Sequence, residues 1–128
     1  LRRSDYVSVH TPLLPETRGL FNKDTFAQMK PGAYLVNTAR GPIVDEAALA
    51  EALDAGTLAG AALDVMTQEP PPPSPLFGRD NVIITPHTSF YSEESLVELQ
   101  TKAAQEVVAV LSGKAPRNPV NPEAVAHK

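Results

Sequence analysis

Three residues in this chain carry side chains that together suit the oxidation or reduction of a small hydroxy acid: Arg40, Glu69 and His87. A guanidinium grips a carboxylate through two parallel hydrogen bonds. An imidazole titrates near neutral pH, so it can take a hydroxyl proton or return one. A carboxylate beside it holds the ring in one orientation and favours its protonated form. The three lie far apart along the chain, so the chemistry depends on elements that would bring them together.

Those elements read as alternating strands and helices. Val7 and Val9 alternate with Tyr6, Ser8 and His10, which predicts a short strand. A loop with two prolines follows, then a short helix over Lys23 to Met29, capped by Asn22 and closed by Pro31-Gly32. Ala33 to Asn37 reads as a buried parallel strand. After a loop from Thr38 to Val44, Asp45 caps a second helix in which Glu46 suits the positive end of the dipole. Leu49 and Leu53 share its apolar face, and Gly56 ends it. Gly60 to Val65 and Val82 to Ile84 are two further strands, separated by a stiff proline run. The longest helix runs from Glu93 to about Ser112, capped by Ser92. Its apolar stripe is Leu96, Leu99, Ala103, Val107, Val110 and Leu111. This order predicts an α/β fold with a mostly parallel sheet.

Open parallel sheets bind ligands at the loops after the carboxyl ends of their strands. Arg40, Glu69 and His87 all fall on or just after such ends, and Asp64 sits at one. Each also has a plainer reading. An arginine in a loop is often only solvated, a glutamate before prolines is often only a loop residue, and a histidine after proline is often structural. His10 reads equally as a packed strand end. Residue types and spacing leave these alternatives open.

Composition narrows the field. The net charge is −4, which argues against a partner that needs a basic face, such as nucleic acid. No apolar run approaches the roughly 18 residues that a membrane span requires. There is no cysteine, which excludes disulfides and thiolate metal sites and fits a cytoplasmic protein. We expect no metal. The chain starts on Leu1 and enters a strand almost at once, so we expect it to be a piece of a longer protein. Four short strands and two main helices are also too few to cover both faces of a parallel sheet.

Four ordered blocks resemble the D-isomer-specific 2-hydroxyacid dehydrogenases: Ser4 to Leu13 with Pro15-Glu16-Thr17; Met29 to Gly41; Ala62 to Val65 with Glu69-Pro70-Pro71; and Asn81 to His87. The tail Asn118 to Pro122 resembles the usual chain end of that family. The resemblance implies a partial Rossmann-like, doubly wound parallel sheet over 1–92. It also implies a helix over 93–113 that returns toward a missing substrate domain, and a tail over 114–128. It implies catalytic roles for Arg40 (substrate carboxylate), His87 (general acid/base) and Glu69 (its partner). The NAD-lining set would be His10, Thr11, Pro12, Thr17, Thr38, Ala39, Arg40, Asp64 and His87, with Asp64 toward the nicotinamide. NADP stays open, because the selecting residue would lie upstream.

The implied reaction is hydride exchange between NAD(H) and a small 2-oxo or D-2-hydroxy acid, in a full-length homodimer. The family's glycine-rich phosphate loop is absent and would precede Leu1. The 128 residues alone are therefore expected to bind NAD poorly and to be inactive. A tail ending soon after Pro122 weighs against an appended regulatory domain. Thr88 to Ser92 replaces the two glycines common after the histidine and resembles the C-terminal-binding-protein corepressors. An NAD(H)-responsive binding protein is therefore the rival reading. Phe90 and Tyr91 either shape a substrate pocket or anchor the last helix.

Overall fold

The computed structural model describes residues 1–124. They form two compact units that divide between Ser89 and Phe90.

The first unit is a four-stranded parallel sheet in the order β1-β2-β3-β4. The strands are β1 (Tyr6–Val9), β2 (Ala33–Asn37), β3 (Leu58–Leu63) and β4 (Val82–Ile84). Helix α1 (Lys23–Phe26) connects β1 to β2, and α2 (Glu46–Asp54) connects β2 to β3. Because every strand runs the same way, all four carboxyl ends open on one edge. That edge carries the loops containing His10, Arg40, Glu69 and His87.

Local chemistry starts each helix where the sequence predicts. Asn22 closes a capping box with Thr25, and Asp45 accepts the N–H groups of Ala47 and Ala48, both at 3.0 Å. Helix α1 is shorter than expected and ends at Phe26 rather than Met29; the N–H groups of Gln28 and Met29 bond three residues back, to Thr25 and Phe26. Strand β3 begins two residues early, at Leu58, which pairs with Ala33. Pairing then skips to Tyr34 opposite Gly60, an irregularity that no hydropathy pattern reveals. A 3-10 turn over Gly41–Ile43 occupies the expected loop between β2 and α2.

The core lies between one sheet face and the two short helices. Phe26, Leu35, Ile43, Leu49, Leu58 and Leu76 are almost wholly buried. Each such side chain stabilises the fold by roughly 1.5–3 kcal/mol. Arg79, just before β4, forks onto both oxygens of Asp54 at the end of α2, at 2.6 and 3.1 Å. The opposite sheet face is open: Tyr6 is 70% exposed and Ile83 65%. Tyr6 and Tyr34 stack there, with ring centroids 5.2 Å apart.

The second unit contains α3 (Glu93–Leu111), started by a capping box between Ser92 and Ser95. Its expected apolar stripe is present in sequence but not buried: no residue of α3 is buried. Periodicity marks a helix face, whereas burial needs something to cover it. A short 3-10 turn follows at Pro122–Ala124. No helix of the described residues is long and apolar enough to cross a membrane.

Candidate active site

The turn after β4 is held in an unusual shape. His87 has φ 54°, in the left-handed region that residues with a Cβ rarely enter. Such a backbone costs about 1 kcal/mol or more and persists only where surrounding bonds enforce it. Here they come from Asp64, which lies at the end of neighbouring β3. The carbonyl of Asp64 accepts the His87 N–H at 2.8 Å. Its carboxylate accepts the Thr85 hydroxyl at 2.5 Å and the N–H groups of Thr88 and Ser89, both at 2.9 Å.

Asp64 is 4% exposed. Burial pushes its carboxyl up, but hydrogen bonds from the Ser89 hydroxyl, the Thr85 hydroxyl and the N–H groups of Ser89 and Thr88 outweigh that. The group is held well below the usual carboxylate range. The Asp64 carboxylate thus ties together the two sides of the His87 turn.

Glu69 meets His87 directly. His87 Nδ1 lies 2.8 Å from Glu69 Oε2, and Glu69 Oε1 accepts the Met66 N–H at 3.0 Å. The hydrogen bond from His87, then that from Met66, lowers the Glu69 carboxyl below its ordinary range; burial and nearby Asp64 oppose them more weakly. A carboxylate at Nδ1 makes that nitrogen the N–H-bearing one and fixes the plane of the ring. The pair borders an apolar hollow of about 360 Å³ that includes Asp64, Met66, Phe77 and Ile84.

Arg40 follows β2, the strand beside β3. Asn37, fully buried, shapes its turn by accepting the Ala39 N–H and donating to the Arg40 carbonyl, both at 3.0 Å. The exposed guanidinium donates to the Ala39 carbonyl at 2.6 Å. Arg40 thus lies on the same sheet edge as the Glu69–His87 pair but lines a different hollow. That one holds about 590 Å³ and is formed with His10, Thr11, Pro12, Leu13, Thr38 and Ala39.

Six of the expected cofactor-lining residues therefore share one concavity. Within it, the Thr11 hydroxyl is buried and has no hydrogen-bond partner among the described residues. Buried polar atoms are nearly always satisfied, so this hydroxyl fits a site that receives a polar group such as those of NAD. Thr17 stands apart. Its hydroxyl donates to the Pro12 carbonyl at 2.7 Å and accepts the Leu14 N–H at 2.8 Å, which shapes the loop from within. His10 is exposed, with Nε2 2.8 Å from the Ser8 hydroxyl. Among the described residues no cluster of three or more His, Asp or Glu side chains could hold a metal ion.

Several contributors escaped the sequence reading: Asn37, Thr85, Thr88 and Ser89. Small polar residues flanking a candidate histidine, and an asparagine ending a strand, are the only signals that pointed to them.

Comparison with known proteins identifies the family. Residues 1–89 match the family model described as D-isomer specific 2-hydroxyacid dehydrogenase, NAD binding domain. The chain is 48% identical over 124 residues to a glyoxylate reductase of Thermofilum pendens, covering 96% of this chain and 37% of that protein. It is 47% identical over 121 residues to human D-3-phosphoglycerate dehydrogenase, covering 94% of this chain and 23% of that one. A D-lactate dehydrogenase from Lactobacillus jensenii, solved with NAD+, superposes with a TM-score of 0.84 at 33% identity, over 94% of this chain and 40% of that chain. The chain thus spans well under half the length of these relatives.

Proposed function

The chain belongs to the D-isomer specific 2-hydroxyacid dehydrogenases, as part of their NAD-binding domain, and we propose that in the whole protein it handles the proton and the substrate carboxylate during reversible reduction of a 2-oxo acid. One observation carries this reading: the 2.8 Å contact between His87 and Glu69, from the loops that follow adjoining strands. It is an imidazole oriented by a carboxylate, the arrangement a general acid/base needs.

Bound NAD(H) supplies the hydride chemistry. The concavity of Thr11, Pro12, Thr38 and Ala39 would hold it, with the Thr11 hydroxyl donating to or accepting from one of its polar groups. His87 gives a proton from Nε2 to the oxygen of the 2-oxo group, or takes it back in the other direction. Glu69 keeps Nδ1 engaged and balances the positive charge that the ring carries before it gives up the proton. Arg40 turns out of its present bond to Ala39 to take the substrate carboxylate. Asp64 keeps His87 in place.

The substrate class is a small 2-oxo acid such as glyoxylate, in keeping with the names of the relatives. For the whole protein we carry forward the homodimer that the family resemblance implies and the cytoplasmic location that the cysteine-free sequence fits, with the exposed stripe of α3 available to a substrate domain. Steady-state oxidation of NADH by purified full-length protein with a panel of 2-oxo acids tests the proposal. Robust turnover supports it. Negligible turnover, with NADH-dependent capture of a protein partner, favours the sensor reading instead.

A further inference from the structure

Glu69 reaches His87 only because the turn that carries it is tied down, and one of the ties is a residue that the acid/base chemistry does not call on. Glu46 opens α2, and its Oε1 accepts the N–H of Thr67 at 2.6 Å, from 21 residues away. The adjacent N–H, that of Met66, is taken by Glu69 itself. Two successive backbone donors are thus each held by a carboxylate oxygen, one supplied by the turn and one by the helix. This leaves the second oxygen of Glu69 for His87.

Gly41 closes the other side. A Cβ at this position would fall 2.0 Å from the carbonyl carbon and oxygen of Met66 and 2.4 Å from the Thr67 nitrogen. Only glycine lets the segment just after Arg40 lie against the turn that leads to Glu69. Arg40 and Glu69 therefore ride on backbones in direct contact, and Glu46 bonds to the same contact point.

We propose that Glu46 is a positioning residue for the Glu69–His87 pair, holding the 66–69 turn so that Glu69 divides its oxygens between Met66 and His87. The inference rests on reading that pair as the acid/base couple. The charged groups facing Glu69 are His87 and Asp64, so Glu46 acts on it through the backbone rather than by its own field. The plainer role for Glu46, a negative charge in the first turn of a helix, predicts a different response to substitution.

The test uses full-length protein, with kcat and KM for 2-oxo acid reduction, and three variants. Glu46→Gln keeps an oxygen that reaches Thr67 but loses the charge. Glu46→Asp keeps the charge but is one methylene too short. Glu69→Gln calibrates the pair. We expect Glu69→Gln to lower kcat about tenfold or more, with a smaller change in KM. Glu46→Asp should lower kcat about fivefold, the effect of one lost hydrogen bond, again with a smaller change in KM. Glu46→Gln should keep the wild-type kcat. If Glu69→Gln lowers kcat while Glu46→Asp leaves it in place, or if Glu46→Gln lowers it as far as Glu46→Asp does, the positioning role is overturned and the pair stands. If Glu69→Gln itself leaves kcat unchanged, the acid/base reading of the pair fails and this inference fails with it.

Discussion

Glu69 Oε2 and His87 Nδ1 lie 2.8 Å apart, although they come from the loops after different strands. The contact orients the ring that carries the proton. Glu69→Gln keeps a side chain of the same length but removes the charge that balances the protonated ring. It should lower kcat for 2-oxo acid reduction by about tenfold or more, the scale of a hydrogen bond to a charged group, with a smaller change in KM. Steady-state NADH oxidation measures both; an unchanged kcat would contradict the role of the contact.

Asp64 predicts a stability effect with a defined sign. Its folded carboxyl is held below its unfolded value, so its contribution is fully present above the ordinary carboxylate range and lost as pH falls through the depressed folded value. Asp64→Asn should cost about 2 kcal/mol at pH 7, the scale of hydrogen bonds to a buried charge. The gap from wild type should narrow steadily below about pH 4. Thermal midpoints of the whole protein between pH 7 and pH 3 check this; a gap constant over that range would contradict it.

Gly41→Ala puts a methyl group into the Met66–Thr67 backbone, which cannot step aside as a flexible side chain would. Overpacking of this kind costs about 1–3 kcal/mol or more. The variant should melt earlier and lose turnover, because the displaced turn carries Glu69. Chemical unfolding alongside kcat measures both effects.

Arg40→Lys keeps the charge but loses the planar fork. We expect a rise in KM for the 2-oxo acid of at least about tenfold, by the loss of one arm of a bidentate bond. The KM for NADH should change much less. Equal rises in both constants would remove Arg40 from the substrate carboxylate.

How much of this was readable in the chain depends on the range of the interaction. Caps at Asn22, Asp45 and Ser92 were legible because a capping side chain acts within three residues. The strands around Leu35 and Ile83 were legible because their apolar runs are short and bounded by turn residues. The candidate triad was legible only as strand-end chemistry, and it took the four family blocks to favour function over plainer roles. The grip of Asp64 on Thr88 and Ser89, and of Glu46 on Thr67, was not legible. Each joins residues more than 20 positions apart through a backbone N–H, which leaves no mark on residue type. The exposure of Leu99 and Val107 on α3 was hidden for the opposite reason: an amphipathic pattern is the same whether or not a partner covers it.

The most direct test of the account is His87→Asn in the full-length protein. Asparagine tolerates the left-handed backbone that His87 adopts but cannot carry the proton at neutral pH. Steady-state reduction of a 2-oxo acid should then show kcat lower by about 10²-fold or more, with NADH affinity little changed. Turnover within a few-fold of wild type would mean that the proton moves through another group.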